Sequence, residues 1–304
     1  MATLVRQGRP LALLWLHLAI LPRWFVAPAA IVAVVLGGVV GHAAAGPLAL
    51  AVLSGLALSA WAHMMNSVLD YEWTKLDRGE VGARSKPKPY TGGQSVIPAG
   101  IATSREVTIG AGFWLVLSLF LILPVAWESP WVWAPWLLTV PLTFWYSWAK
   151  TKWHPEVPLA LGFGPFATLL GFLAGGIESW WLGLMAGVPL GFLFGFVAEW
   201  WDQAQDGKSD WPKGGRSLGV YGGWKGWPIS VLLGLGLLIT SGLHAGMVAL
   251  GALAPLTLWA LFMFPMSASI LPWIEQGKTL AVLGGLGLIF LYSLLVVVLQ
   301  ATSH

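Results

Sequence analysis

The sequence predicts an all-α polytopic membrane protein with about nine transmembrane helices around a central cavity. Of the 304 residues, 57% are hydrophobic and only 10% are charged, whereas soluble domains carry about 25% charged residues. The apolar residues fall into long segments separated by short polar ones. Every lysine and arginine lies on one side of the bundle that these segments would form.

Long apolar segments recur along the whole chain, and a helix needs roughly 20 such residues to cross a bilayer. The predicted spans are 25–43, 47–66, 106–124, 130–149, 157–177, 181–200, 227–245, 248–267 and 279–300. An amphipathic interfacial helix is expected over about the first 20 residues. Many of the 21 tryptophans lie near the ends of the spans, which is typical of the aromatic belts of membrane proteins.

The distribution of positive charge orients the bundle. All 16 lysines and arginines precede the first span or follow an even-numbered one, and the positive-inside rule makes that side cytoplasmic. The N-terminus is therefore expected inside and the C-terminus outside, in a cell inner membrane. The net charge of +3 reflects this topology and predicts no nucleic-acid binding. We interpret residues 1–304 as one domain with cytoplasmic cap loops at about 67–105, 150–156 and 201–226.

Two groups of carboxylates follow spans on the cytoplasmic side. Asp70 lies four residues after Asn66, and Asp77 lies seven residues further on, so a continuous helix would place all three on one face. The second group, at the end of the sixth span and after it, consists of Glu199, Asp202, Asp206 and Asp210. Within it, Asp202 and Asp206 repeat the four-residue spacing. Like charges this close repel each other, and Mg²⁺ removes the repulsion by bridging carboxylates to phosphate oxygens. The pattern favours a metal–diphosphate site; solvated helix ends balanced by lysines are the alternative interpretation.

Several short motifs resemble the UbiA superfamily of intramembrane prenyltransferases, which has nine transmembrane helices and aspartate-rich motifs after helices two and six. NSVLDYEWT resembles the first motif through Asn66 and Asp70, with Thr74 where the family usually has a third aspartate. DQAQD resembles the second motif, and PRWFVAPAA, YSWAK and GGRSLGVYGG resemble three further stretches of the family. The similarity runs from the first predicted span to the start of the seventh.

The resemblance implies an enzyme whose aspartates bind Mg²⁺–diphosphate while basic residues help the diphosphate to leave. The resulting allylic carbocation alkylates an acceptor, usually an aromatic ring. By this resemblance the catalytic residues are Asp70, Asp202, Lys150 and Tyr146. The implied metal ligands are Asp70, Asp77, Asp202 and Asp206, with Asp77 substituting for the missing third aspartate. The implied diphosphate contacts are Asn66, Arg23, Arg78, Arg216 and Lys208.

Two further stretches resemble the branch of the family that prenylates 1,4-dihydroxy-2-naphthoate in menaquinone synthesis. The loop SKPKPYTGGQSVIPAG contains Tyr90, and Gly92 and Gly93 permit a tight turn there. Glu156 precedes GFGPF in the order that the branch uses, although WHPE replaces its usual Gly-Leu-Gly. These four residues are the expected acceptor or cap-loop contacts. The loop is expected to exclude water, which would quench the cation; a disordered linker is the alternative.

Two other functions fit part of the pattern. A UbiA-type terpene cyclase would capture the cation with the double bonds of the prenyl chain itself and would need no acceptor. A membrane transporter would place its acids at mid-membrane depth near broken helices, whereas these acids follow the ends of spans. The sequence therefore favours Mg²⁺-dependent transfer of a polyprenyl group from its diphosphate to an aromatic quinone precursor.

Overall fold

The computed structural model describes residues 13–24, 27–78, 96–152, 154–265 and 279–303. Within these ranges, the side chains at 201, 205, 206, 209 and 279–286 lie outside the description. The described chain consists of helices joined by turns and contains no β-strand, which confirms the predicted all-α class.

The main helices follow one another in chain order. They are α1 (Ala27–Val40), α2 (Ala45–Glu72), α3 (Ser104–Glu128), α4 (Trp133–Lys152), α5 (Glu156–Leu173), α6, α7 (Leu218–Lys225), α8 (Ile229–Ala249) and α9 (Thr279–Ala301). The sixth, α6, is a succession of the stretches Trp180–Ala186, Val188–Phe192, Leu193–Ala198 and Glu199–Asp210. The shorter pieces are a π-helical turn at Leu16–Ile20 and 3₁₀ segments at Pro130–Val132 and Pro255–Phe262.

Membrane-spanning length is reached by several of these helices. In the described part of the chain, five helices are long and apolar enough to cross a bilayer, namely Ala45–Glu72, Ser104–Glu128, Glu156–Leu173, Trp180–Ala204 and Ile229–Ala249. Shorter apolar helices cover Ala27–Val40, Pro255–Pro265 and Gly287–Ala301. These helices and α4 correspond to the predicted spans, but the number of nine crossings stays a prediction.

The predicted eighth span, 248–267, differs most from the structure. α8 continues to Ala249, and a turn follows in which Gly251 adopts a φ of 75°. The next helix begins only at Pro255 and is of the 3₁₀ type. Proline fits the first turn of a helix but cannot continue a preceding one, which explains the break.

The outer surface is strongly apolar. Trp127 is 90% exposed, and Trp131, Trp180 and Trp181 are also exposed at the ends of helices. Surface of this kind is unfavourable in water and suits contact with lipid and its interface. The apolar helices and this surface together indicate an integral membrane protein.

Two π-helical turns lie in the helices that flank the centre of the bundle. One covers Gly162–Phe166 in α5, where Pro165 lacks the N–H that a regular helix would use. The other covers Leu193–Ala198 in α6 and ends immediately before Glu199. A π turn inserts an extra residue and rotates the helix face that follows it. The α6 turn therefore sets the direction in which its acidic C-terminal part points.

Helix α5 packs closely against α1 on one side and α6 on the other. A Cβ atom on Gly171 would collide with the carbonyl oxygen of Val34 in α1, and one on Gly164 would collide with the backbone of Gly191 in α6. Small residues at such crossings let backbones approach in membrane bundles. Glycine at these positions thus fixes α5 between its two neighbours.

Buried apolar side chains form two clusters. The first cluster contains residues of α1, α6, α8, α9 and the segment around Pro255–Phe262. The second contains residues of the N-terminal turn and of all five helices from α1 through α5. Residues of α1, α2, α4, α5 and α6, with a few of α7 and α9, line a cavity of about 370 Å³. The structure thus contains the predicted central cavity.

Candidate active site

The C-terminal end of α2 supplies the first acidic group of the cavity. Asn66 and Asp70 are buried, lie one turn apart and line the cavity. The predicted span ended before Asp70, but α2 continues to Glu72 and holds the aspartate in regular helix. Thr74 donates its hydroxyl to the backbone carbonyl of Asp70 over 3.3 Å. Asp77 is buried in the following turn and lines the cavity, so it shares that space with Asp70.

Lys150, near the end of α4, forms the electrostatic centre of the site. Its Nζ donates to Oδ2 of Asp70 over 2.6 Å and to Oδ1 of Asn66 over 3.3 Å, and Ser147 donates to the same Asn66 oxygen over 3.1 Å. The ammonium also lies 4.5 Å from the centre of the Tyr146 ring. Oδ1 of Asp70 is buried without a hydrogen-bond partner among the described residues. One carboxylate oxygen is therefore left to accept a ligand.

Tyr146 connects α4 to α6. Its hydroxyl donates to Oε1 of Glu199 over 2.6 Å, and Gln203, one turn further along α6, donates to the same oxygen. Glu199 and Gln203 both line the cavity. The sequence places Glu199 in the second acidic group, one turn before Asp202, but Glu199 is not among the predicted site residues.

Helix α6 brings the second acidic group to the same cavity. Asp202 lines it, and so does Asp210, two turns further on. The backbone of Asp206 belongs to α6, but its side chain lies outside the description. Asp210 belongs to the second acidic group of the sequence, four residues after Asp206, but it is not among the predicted metal ligands.

No metal-binding cluster is preformed in the described part of the cavity. Among the side chains that the structure describes, no three carboxylate or imidazole groups are close enough to hold a metal ion. An ion here would need further oxygen ligands, and Mg²⁺ commonly takes those from substrate phosphates and water.

Arg23 is a predicted diphosphate contact that does reach the cavity. It precedes α1, lines the cavity and donates from its guanidinium to the hydroxyl of Ser67 over 3.3 Å. Its backbone adopts a left-handed φ of 53°, which is uncommon for a residue other than glycine. Arg23 and Lys150 thus bring two positive charges to the acidic end of the cavity.

Three other predicted diphosphate contacts are not part of the cavity lining. Arg78 is half exposed and pairs with Glu72 at 3.2 Å. Arg216 is exposed and stacks on the ring of Trp211 at 4.4 Å, and Lys208 is exposed on α6. Partners at the surface hold the two arginines, so this arrangement does not support the expected contacts.

The predicted acceptor residues are separated from the cavity or not described. Glu156 is fully buried at the start of α5 and accepts the backbone N–H of Leu218, at the start of α7, over 3.0 Å. It ties two helices together and does not belong to the cavity lining. The predicted residues Tyr90, Gly92 and Gly93 lie outside the described residues.

The remaining cavity wall is mostly apolar. It includes Leu58, Leu142, Phe163, Phe166, Leu170, Phe194 and Phe290. A polar exception is His63 of α2, one turn before Asn66. A cavity with charged groups at one end and aromatic and aliphatic groups elsewhere is complementary to an amphiphile with an anionic head and a hydrocarbon tail.

Comparison with known proteins agrees with this description. Two solved structures of a UbiA homolog from Archaeoglobus fulgidus, one bound to DMAPP and Mg²⁺ and one to GPP and Mg²⁺, share the fold with TM-scores of 0.57 and 0.56. Each is 17% identical in sequence, and the alignments cover 94% and 93% of this chain and 99% of theirs. No curated protein matches the chain significantly. The model of the UbiA prenyltransferase family matches residues 25–274, and this chain therefore belongs to the UbiA prenyltransferase family.

Proposed function

We propose that this protein transfers a polyprenyl group from its diphosphate to an aromatic acceptor in an Mg²⁺-dependent reaction. One observation carries the proposal. Asp70 near the end of α2, Asp77 in the turn that follows, and Asp202 and Asp210 on α6 line one cavity whose remaining wall is largely apolar. The homolog from Archaeoglobus fulgidus binds DMAPP or GPP together with Mg²⁺, which supports the same class of donor for this chain.

The acidic residues fit Mg²⁺ in chemical type. Asp70 carries a buried carboxylate oxygen without a hydrogen-bond partner in the described structure, and carboxylate oxygens are the ligands that this hard cation takes. We assign Asp70 and Asp77 as ligands on the α2 side and Asp202, Asp206 and Asp210 on the α6 side. When bound, Mg²⁺ would neutralise the diphosphate as it becomes a leaving group.

Lys150 and Arg23 would assist bond cleavage. As the bond between C1 of the prenyl chain and its oxygen breaks, the electron pair passes to the diphosphate, and positive charges aimed at that oxygen stabilise it. The allylic carbocation then bonds to a ring carbon of the acceptor, which loses its proton. The ring of Tyr146 already lies beside one cation, the ammonium of Lys150, at 4.5 Å, and its π face would stabilise the carbocation in the same way.

For the acceptor we propose a quinone precursor such as 1,4-dihydroxy-2-naphthoate, which would give the enzyme a role in menaquinone synthesis. The support is the similarity of the loop around Tyr90 and of the stretch after Glu156 to that branch. The distribution of lysine and arginine supports a cytoplasmic N-terminus and acidic sites on the cytoplasmic side of an inner membrane.

The first experiment follows pyrophosphate release by the purified protein in lipid nanodiscs with Mg²⁺ and geranylgeranyl diphosphate. It is run with and without 1,4-dihydroxy-2-naphthoate, and the lipid products are extracted. Release that depends on the acceptor is the expected result, with a prenylated naphthohydroquinone as product, which air oxidises to the naphthoquinone during extraction. Asp70→Asn should abolish it, whereas Glu178→Gln, which changes an exposed acid away from the cavity, should not.

Other outcomes point to the alternatives. Release without any acceptor, together with a cyclic hydrocarbon or alcohol, would identify a terpene cyclase. No release with any donor length or acceptor would contradict prenyl transfer and favour the transporter interpretation.

A further inference from the structure

His63 is a cavity residue that the reaction described above does not use. It lies on α2, one turn before Asn66, and its side chain lines the cavity. Its Nε2 atom is buried and has no hydrogen-bond partner among the described residues. The ring of Phe163 on α5, which also lines the cavity, lies 6.3 Å away at a tilt of 34°.

A buried nitrogen without a partner needs an explanation, because an unsatisfied polar group in an apolar surrounding costs free energy. The prenyl chain cannot provide a partner, since it is a hydrocarbon. The diphosphate belongs at the acidic end, and His63 lies seven residues before Asp70, which is about 10 Å further along the helix. The acceptor is the remaining substrate, and its ring must meet C1 of the donor next to the diphosphate.

Resting on the proposed function, we propose that His63 positions the acceptor through a hydrogen bond between Nε2 and a hydroxyl group on its aromatic ring. A hydroxyl can both donate and accept, so it suits either tautomer of the imidazole. Phe163 would cover one face of the acceptor ring beside it. The specificity of this site is thus for hydroxylated aromatic compounds, and His63 acts as a positioning residue.

The test replaces the imidazole and measures binding as well as turnover. His63→Phe keeps a flat ring and removes both nitrogens, so we expect the KM for 1,4-dihydroxy-2-naphthoate to rise at least about fivefold, with the KM for geranylgeranyl diphosphate within about twofold. His63→Gln retains a hydrogen-bonding group and should recover part of the loss. His42→Asn changes a histidine in the turn between α1 and α2, outside the cavity lining, and serves as the control.

The hydroxyl is tested from the ligand side by calorimetry in nanodiscs with 1,4-dihydroxy-2-naphthoate and its 1,4-dimethoxy analogue. The wild-type protein should bind the hydroxylated compound more tightly, and His63→Phe should abolish that preference. If His63→Phe weakens the binding of both compounds equally, or of neither, the proposal is overturned. Either result would indicate that water or packing satisfies His63. Failure of the wild-type protein to bind the hydroxylated compound would overturn it as well. Since binding is measured without turnover, absence of pyrophosphate release would count against the proposed reaction separately.

Discussion

Removal of Lys150 is the sharpest test of the electrostatic centre of the cavity. Its ammonium lies 2.6 Å from Oδ2 of Asp70, and the two side chains are only 11% and 2% exposed. Lys150→Met leaves the carboxylate buried without its partner, and breaking a buried pair in this way costs about 3–5 kcal/mol. Because Lys150 keeps slight contact with solvent, we expect the lower end of that range.

Replacement of Asp70, the other member of the pair, should lower the free energy of unfolding by a smaller amount. In Asp70→Asn, Lys150 keeps its 3.3 Å hydrogen bond to Asn66, so the loss is that of one bond to a charged group, about 1.5–3 kcal/mol. The double variant leaves no unpaired charge, and its cost should fall about 2 kcal/mol below the sum of the two single costs. The assay is the free energy of unfolding in bicelles without Mg²⁺. Lys152→Met, an exposed position at the end of α4, is the matched control.

If the destabilisation of the double variant equals the sum of the two single destabilisations to within about 0.5 kcal/mol, the reasoning is refuted, because independent sites are additive in that way. Repeating the measurement with Mg²⁺ tests the metal assignment. A cation bound at Asp70 should restore part of the stability of Lys150→Met, and an unchanged unfolding free energy would contradict Asp70 as a ligand.

Three further predictions concern other parts of the site and its supports. Tyr146→Phe removes the hydroxyl that donates over 2.6 Å to the α6 carboxylate, so unfolding should become easier by about 1–3 kcal/mol; a variant as stable as wild type would contradict the bond. Gly164→Ala places a methyl group against the α6 backbone and should cost about 1–3 kcal/mol, whereas Gly112→Ala, which has open space around it, should cost nothing. Asp210→Asn should raise the Mg²⁺ concentration for half-maximal pyrophosphate release at least about tenfold (each lost decade being about 1.4 kcal/mol), and a value equal to that of Glu178→Gln would remove Asp210 from the site.

The helices and the acids within each helix could be predicted from the sequence because hydropathy and spacing are local properties. The apolar segment before Asn66 predicted α2, and the four-residue spacing placed Asp70 on the same face. The motif YSWAK indicated Tyr146 and Lys150 through the family resemblance, and both line the cavity. These residues belong to regular helix, where sequence separation fixes direction.

Contacts between helices could not be predicted in the same way. Tyr146 and Glu199 are 53 residues apart, and no spacing rule connects them. The π-helical turn just before Glu199 also changes the direction of the residues that follow. Arg78 lies in a turn after α2 and pairs with Glu72. This contact depends on the backbone conformation of the turn, which helical periodicity cannot predict.

The glycine contacts of α5 bear on how this protein can change its substrates over evolution or by design. Gly171 and Gly164 hold α5 backbone to backbone against two neighbours, so any larger side chain there shifts a whole helix. Leu58 of α2 and Leu142 of α4 also line the cavity, where a change of size alters the space and leaves those crossings intact. We therefore expect adaptation to shorter or longer prenyl donors to proceed through side chains such as Leu58 and Leu142, while Gly164 and Gly171 stay unchanged and keep α5 in place.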